Sequence, residues 1–316
     1  MKIVIYLVRG ILGLFALATV LFIAAIPFYR DVPPEVLEIR VVGSASRFTE
    51  INGVRVHYRD EGQGPVVVLI HANYANLLMW DPWVAKLKDR YRVLRFDLTA
   101  HGLTGPDPTR DYSLERTVAT LEGLLARLDI AGPITLGGTS VGGTVAMHYA
   151  VQHPERVQRL ILVSPGSLEK DVRGRSTPRA VPRVADLFTL VTPRWMAAGL
   201  LKAGFGDKSK VTEPMIDEWY RPWLRAGNRR AMLDRLRQYV SGDVEAKIRA
   251  ISVPVLLLWG EKNPRVPVAL AYEFQKLLVH SPAVRLEILK GVGHMAVQEA
   301  PDATARLVRE YLDHGG

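Results

Sequence analysis

Cysteine is absent from all 316 residues. Disulfides, thiolate metal sites and cysteine nucleophiles are thereby excluded. The lack fits an extracytoplasmic compartment without requiring one. No lysine follows the glycine-rich stretch Gly-Gly-Thr-Ser-Val-Gly-Gly at 137–143, where the chain runs on as Thr144-Val145-Ala146. A P-loop needs that lysine to carry charge to the phosphates, and a dinucleotide fingerprint needs a different glycine spacing. Internal repeats and low-complexity tracts are also missing, and the composition is that of an ordinary globular chain. The net charge of +9 comes without a nucleic-acid-binding motif, so no nucleic-acid partner is expected. Residues 166–250 carry much of it, with 17 Lys and Arg against 10 Asp and Glu. Such an excess reads as a solvated helical surface.

What is present begins with an uncharged apolar run at 10–29, preceded by Lys2 and Arg9. As a helix it extends about 30 Å, the thickness of a bilayer core. A cleaved signal peptide would need a small-x-small site at the end of a shorter run. The only such triplet, Ala16-Leu17-Ala18, lies mid-run. An uncleaved N-terminal transmembrane anchor over 1–30 is therefore expected, with a cleaved signal as its rival. The positive-inside rule places the remainder of the chain outside the cytoplasm, by a small margin because Arg30 and Arg40 follow the run. Asp31-Val32-Pro33-Pro34 reads as a short stiff linker.

Beyond it, 47–51 and 54–59 flank Asn52-Gly53, a strong hairpin signal. Apolar runs without alternation follow at 66–70, 91–98, 134–136, 160–163, 253–259 and 284–289, as in buried parallel strands. Amphipathic stretches lie between them. One opens on Ser113 as a cap and runs to about Leu128; another spans 141–153 and stops before Pro154. This alternation predicts a doubly wound α/β fold with a mostly parallel eight-stranded sheet. Residues 166–250 break the rhythm, with amphipathic pieces such as 228–240 and the tryptophans Trp195, Trp219 and Trp223. They read as a helical cap over one end of the sheet, dividing the core into 31–165 and 251–316. Ligands of open α/β sheets bind at the carboxyl ends of strands, where such an insertion forms a lid.

Gly138-Thr139-Ser140-Val141-Gly142 lies between a predicted strand and a predicted helix. A G-x-S-x-G there is a nucleophile elbow, with the serine hydroxyl projecting above the sheet. A serine hydroxyl needs a base to become nucleophilic. His294 in Gly-Val-Gly-His-Met, after the last strand, is the candidate. An oxyanion hole needs preorganised N–H donors. The amide of Val141 follows the nucleophile, and Asn73 in the loop after 66–70 is the second by position.

From about Phe48 to Leu312 the chain resembles the α/β-hydrolase superfamily, in particular its esterase-like and carbon–carbon-bond hydrolase branches. The resemblance rests on His71 and Trp80, on FDLTAHGLTGP, on Ser140 with its glycines, on HPERVQRLILVSP, on VPVLLLWGEKN and on GVGHMAVQEAP. Serine in the elbow points away from the haloalkane dehalogenases and epoxide hydrolases. Three positions depart from the family pattern. Ala72 and Ala100 stand where glycine is usual, each adding a Cβ to a turn. Asn263 stands at the position of the triad acid. An amide holds no negative charge beside an imidazolium, so Asn263 would orient His294 through its carbonyl oxygen or stand idle. Glu169, Asp171 and Asp243 are topological candidates for a substitute acid.

The resemblance and motifs together lead to the expectation of a membrane-anchored serine hydrolase. It would cleave an ester or related acyl bond of a small apolar molecule, with Ser140, His294 and Asn263 as catalytic residues and no metal or organic cofactor. The alternatives are a carbon–carbon-bond hydrolase with the same groups and a non-catalytic binding protein on a degenerate hydrolase fold. Nothing in the sequence sets the oligomeric state.

Overall fold

The computed structural model describes residues 2–166, 180–240 and 242–314. Asn52-Gly53 turns a hairpin between β1 (Ser46–Ile51) and β2 (Val54–Glu61), both turn residues taking positive φ. The expected strand runs become β3 (Val66–Ile70), β4 (Arg92–Phe96), β5 (Ile134–Thr139), β6 (Val157–Val163), β7 (Val255–Gly260) and β8 (Val284–Leu289). β8 is not the buried apolar run expected: as an edge strand it alternates, with Arg285 and Glu287, and is mostly half-buried. They form one sheet in the order β1-β2-β4-β3-β5-β6-β7-β8. β1 and β2 are antiparallel, and β3 through β8 run parallel. The doubly wound, mostly parallel eight-stranded sheet expected from the pattern is the one observed.

The helices are α1 (Lys2–Ala25), α2 (Pro34–Val41), α3 (Asp81–Leu87), α4 (Leu114–Arg127), α5 (Val141–Gln152), α6 (Arg194–Lys202), α7 (Glu213–Trp223), α8 (Asn228–Gln238), α9 (Val244–Ala250), α10 (Ala269–Leu277), α11 (Ala296–Glu299) and α12 (Pro301–His314). Central strands buried on both sides need helices on both faces. Leu121 of α4, Val145 of α5, Ile248 of α9 and Phe274 of α10 fill one face. Trp83 of α3 and Val308 and Tyr311 of α12 fill the other. α4 shows the local logic. Ser113 Oγ accepts from Arg116 N at 3.1 Å, capping the helix start, and Leu114, Val118, Leu121 and Leu125 form its buried stripe. α9, which falls in the 166–250 segment, buries Val244 and Ile248 in the sheet's core. α6, α7 and α8 lie over the carboxyl ends of the strands, where their side chains share a cavity with residues that follow β3, β5 and β8.

α1 and the turn after it include a 24-residue apolar segment, Tyr6–Tyr29, with mean hydropathy 2.5 and no burial. Its length and composition fit a membrane anchor or a signal sequence. The short stiff linker expected beyond it is bonded to the body of the protein. Val32 N donates to Leu224 O at 2.7 Å and Val32 O accepts from Ala226 N at 2.9 Å. Asp31 takes Arg229 Nη2 at 2.6 Å and Gly227 N at 3.1 Å. The proline pair is stiff, but the residues before it are bonded to the turn between α7 and α8.

Candidate active site

Ser140 is the single residue between β5 and α5, with φ 52° and ψ −119°. A non-glycine residue in that region is strained, and such strain persists only where neighbours enforce it. Here Ser140 N donates to Val163 O at 3.1 Å, and Ser140 O accepts from Thr144 N at 3.2 Å. The flanking glycines make the turn possible. A Cβ on Gly138 would lie 2.3 Å from the Gly142 carbonyl carbon, and one on Gly142 would lie 2.2 Å from Ile70 O. Ser140 lines the cavity. Its hydroxyl makes no hydrogen bond to a described residue, the His294 ring included. Catalytic hydrogen bonds are often long before substrate binds.

Val141 supplies the first amide of α5, which has no acceptor inside the helix. Asn73 belongs to the loop after β3, and both residues line the cavity. That loop is pinned from beneath. His71 Nδ1 donates to Ala72 O at 2.7 Å, and its Nε2 accepts from Leu98 N at 2.9 Å. Burial lowers the pKa of His71, which keeps the ring neutral. Asp97 takes His57 Nδ1, Leu77 N and Leu103 N at 2.7, 2.7 and 2.8 Å. Burial opposes its charge, yet the His57 contact and the backbone donors bring the carboxyl down to about 2. His101 Nδ1 lies 3.0 Å from Thr99 O and Nε2 lies 2.9 Å from Asn73 Oδ1. Burial holds His101 well below its usual pKa, so the ring has one proton. Both partners are acceptors, so the single ring proton serves one of them. Of the two alanines in glycine positions, only Ala100 takes a left-handed conformation, at φ 72°. The Cβ of Ala72 therefore costs no backbone strain of this kind.

His294 follows β8 in a loop fastened on two sides. His294 N donates to Gly204 O at 2.6 Å. The buried carboxylate of Glu299 accepts from Gly293 N at 2.7 Å, Gly206 N at 3.0 Å and Asp207 N at 2.8 Å. Glu299 thus ties the histidine loop to the cap. It lies inside the quoted GVGHMAVQEAP motif, but nothing in its spacing reveals three backbone donors. Burial, with the charge of Arg265 nearby, pushes the His294 ring down to about 3.

Asn263, in the turn after β7, is where the acid of a triad would stand. Its side chain is 3.2 Å from His294 Nδ1. The expected orientation through the carbonyl oxygen is not the one found. Oδ1 is committed to Arg265 N at 3.0 Å and Val266 N at 2.9 Å, so Nδ2 faces the ring. An amide NH2 can only donate. Nδ1 is therefore the acceptor, and the single ring proton sits on Nε2. Asp243 is not brought to the site: it is exposed and caps α9, accepting from Ala246 N at 2.9 Å. Glu169 and Asp171 lie outside the described residues.

The cavity joining these groups measures about 270 Å³, near the lower end for small-molecule sites. Leu200 of α6, Trp219 of α7 and Leu236 of α8 give it an apolar roof, with Arg235 and Arg265 as its cations. Of the cap tryptophans, Trp219 reaches the cavity, Trp223 is buried with Nε1 donating to Tyr74 O at 2.8 Å, and Trp195 is exposed.

A strained serine elbow at the end of a central parallel strand, under a helical roof, defines an α/β hydrolase. The chain belongs to that family, whose description is "alpha/beta hydrolase fold" and whose pattern matches residues 65–301. It is 32% identical over 298 residues to an uncharacterized protein of Mycobacterium tuberculosis, covering 90% of this chain and 83% of that one. It is 28% identical over 259 residues to the pimeloyl-[acyl-carrier protein] methyl ester esterase of Nitrosomonas europaea, covering 78% and 95%. Among solved structures it resembles a serine hydrolase involved in carbazole degradation. That match has 25% identity and a TM-score of 0.72, over 85% of this chain and 98% of that one.

Proposed function

We propose that this chain is a membrane-anchored serine hydrolase that cleaves an ester or related acyl bond. The observation that carries the reading is Ser140, held at positive φ and sharing one cavity with His294, Val141 and Asn73. In the proposed step Ser140 Oγ attacks the substrate carbonyl carbon and its proton passes to His294 Nε2. The amides of Val141 and Asn73 receive the oxyanion. The tetrahedral centre collapses to an acyl-serine while His294 returns the proton to the leaving oxygen. Water then attacks along the same route. The roof of Leu200, Trp219 and Leu236 favours an apolar acyl group. Segment 6–29 serves as the anchor in this reading.

The tautomer at His294 bears on how fast this runs. To act as base, Nε2 must lose its proton to Nδ1, which would set an N–H against the Asn263 NH2. Two buried donors facing each other cost about 1–3 kcal/mol. An acid-to-amide change in serine-protease triads costs about 10⁴-fold through this same effect. A slow hydrolase is the expectation. The Asn263 geometry also supports a second reading, a binding protein that retains the hydrolase cavity.

The test is Ser140→Ala, assayed with short p-nitrophenyl esters and an active-site-directed fluorophosphonate. The native protein should react with both. The variant should lose at least about 10²-fold of esterase rate and all labelling, with unchanged circular dichroism. A native protein that neither labels nor hydrolyses would favour the binding reading.

A further inference from the structure

Arg235, on α8, is a cation in an unusual position. Its residue is only 4% exposed, it lines the cavity above Ser140, and its Nη1 is buried without a hydrogen-bond partner among the described residues. No Asp or Glu is among the described residues lining that cavity. The adjacent Asp234 offers no counter-charge, because Arg110 Nη2 and Nε hold its carboxylate at 2.6 and 3.2 Å. Burial lowers the guanidinium pKa to about 10, which still leaves it charged at neutral pH. A buried charge with no partner is strongly destabilising. Such a group is tolerated where a ligand brings the opposite charge. Arg235 shares the cavity with Asn73 and Ser140.

We propose that the cavity accepts an acyl group carrying a carboxylate, and that Arg235 receives that carboxylate while the carbonyl sits at Ser140. The proposal rests on the serine-hydrolase reading and narrows its substrate class to monoesters of dicarboxylic acids. The planar guanidinium matches a carboxylate in a paired geometry. A carboxylate fits better than a phosphate dianion, because one enclosed guanidinium neutralises one charge. Arg265, the other cation, is exposed and donates from Nη2 to Leu200 O at 3.3 Å. The apolar roof beside Arg235 then covers the chain between carboxylate and ester.

Two esters of equal acyl length separate the possibilities: p-nitrophenyl pentanoate and the mono-p-nitrophenyl ester of glutaric acid. The native protein should prefer the acidic ester by at least about tenfold in kcat/KM. In Arg235→Met the ratio of acidic to neutral ester should fall by at least about 30-fold. A native preference for the neutral ester, or a ratio unmoved by the substitution, overturns the proposal. Binding is read independently of catalysis by thermal shift with glutarate. Glutarate should raise the melting midpoint of the native protein but not that of Arg235→Met, and inorganic phosphate should raise neither. No shift with glutarate, or an equal shift in the variant, overturns the carboxylate site. A glutarate shift in a protein that hydrolyses neither ester would sink the hydrolase reading alone. Arg235→Met removes a buried charge that has no partner among the described residues, so without ligand it should melt above the native protein; Arg235→Lys provides a second folded variant, in which the ester ratio falls but not to the level in Arg235→Met.

Discussion

At the scale of single residues, Asn263 faces His294 Nδ1 with its NH2 at 3.2 Å. The slot it occupies suits a carboxylate better than an amide. One oxygen of an aspartate would keep Arg265 N and Val266 N, now held at 3.0 and 2.9 Å, and the other would accept from Nδ1–H. The ring proton would move to Nδ1, freeing Nε2 to act as base. A carboxylate beside the ring also favours the imidazolium that forms during attack. Asn263→Asp should therefore raise kcat on a simple ester by at least about tenfold, roughly 1.4 kcal/mol of barrier. It should also bring a new acidic limb to the pH–rate profile. In the native protein His294, pushed to about 3, stays deprotonated through the ordinary range. In the variant its pKa rises, and rate is lost as pH falls through that raised value. An unchanged rate together with an unchanged profile would mean that Asn263 does not act on the His294 tautomer.

The element scale is set by the strap between α1 and the cap. Asp31 accepts from Arg229 Nη2 and Gly227 N, and Val32 makes two backbone bonds to the α7–α8 turn. Arg229 is buried while Asp31 is part-exposed, so cutting the strap strands a buried cation. A chain beginning at Asp31 should be soluble and keep the melting midpoint of the full-length protein. One beginning at Glu35 should melt lower by at least about 4 °C, equivalent to roughly 1–2 kcal/mol in a domain of this size. The full-length protein should remain in the membrane pellet through a carbonate wash. A mature N-terminus near residue 26 would establish a cleaved signal instead.

For the whole molecule, buried histidines govern acid stability. His71, His101 and His294 are all held below the ordinary histidine pKa by burial. Between about 6.5, the unfolded value, and those lower folded values, the unfolded chain binds more protons. Stability is then lost as pH falls, and for His294 the loss runs from about 6.5 down to about 3. Glu218 opposes this. Burial raises its pKa to about 7, so the folded state holds the extra proton between about 4.5 and 7 and gains stability as pH falls. With His148, whose pKa burial also lowers, four histidines outweigh one glutamate. Calorimetry between pH 6.5 and 4 should show a falling midpoint; a flat or rising one would mean that these rings protonate in the folded state.

The strand pattern, the serine elbow and the family were legible in the sequence, because they depend on periodicity and on local turn chemistry. The run at 66–70 is apolar for burial, and the glycines at 138 and 142 answer to backbone atoms only a few ångströms away. The position of Asn263 was legible too, but not its polarity toward His294. That was decided by two amides of the same turn, whose direction appears only when the chain is folded. Glu299 accepting from Gly206 N and Asp31 strapped to Arg229 join residues 93 and 198 positions apart, and Arg235 Nη1 without a partner depends on what fails to come near among the described residues. Periodicity and spacing report a residue's neighbours along the chain, whereas charge compensation depends on its neighbours in space.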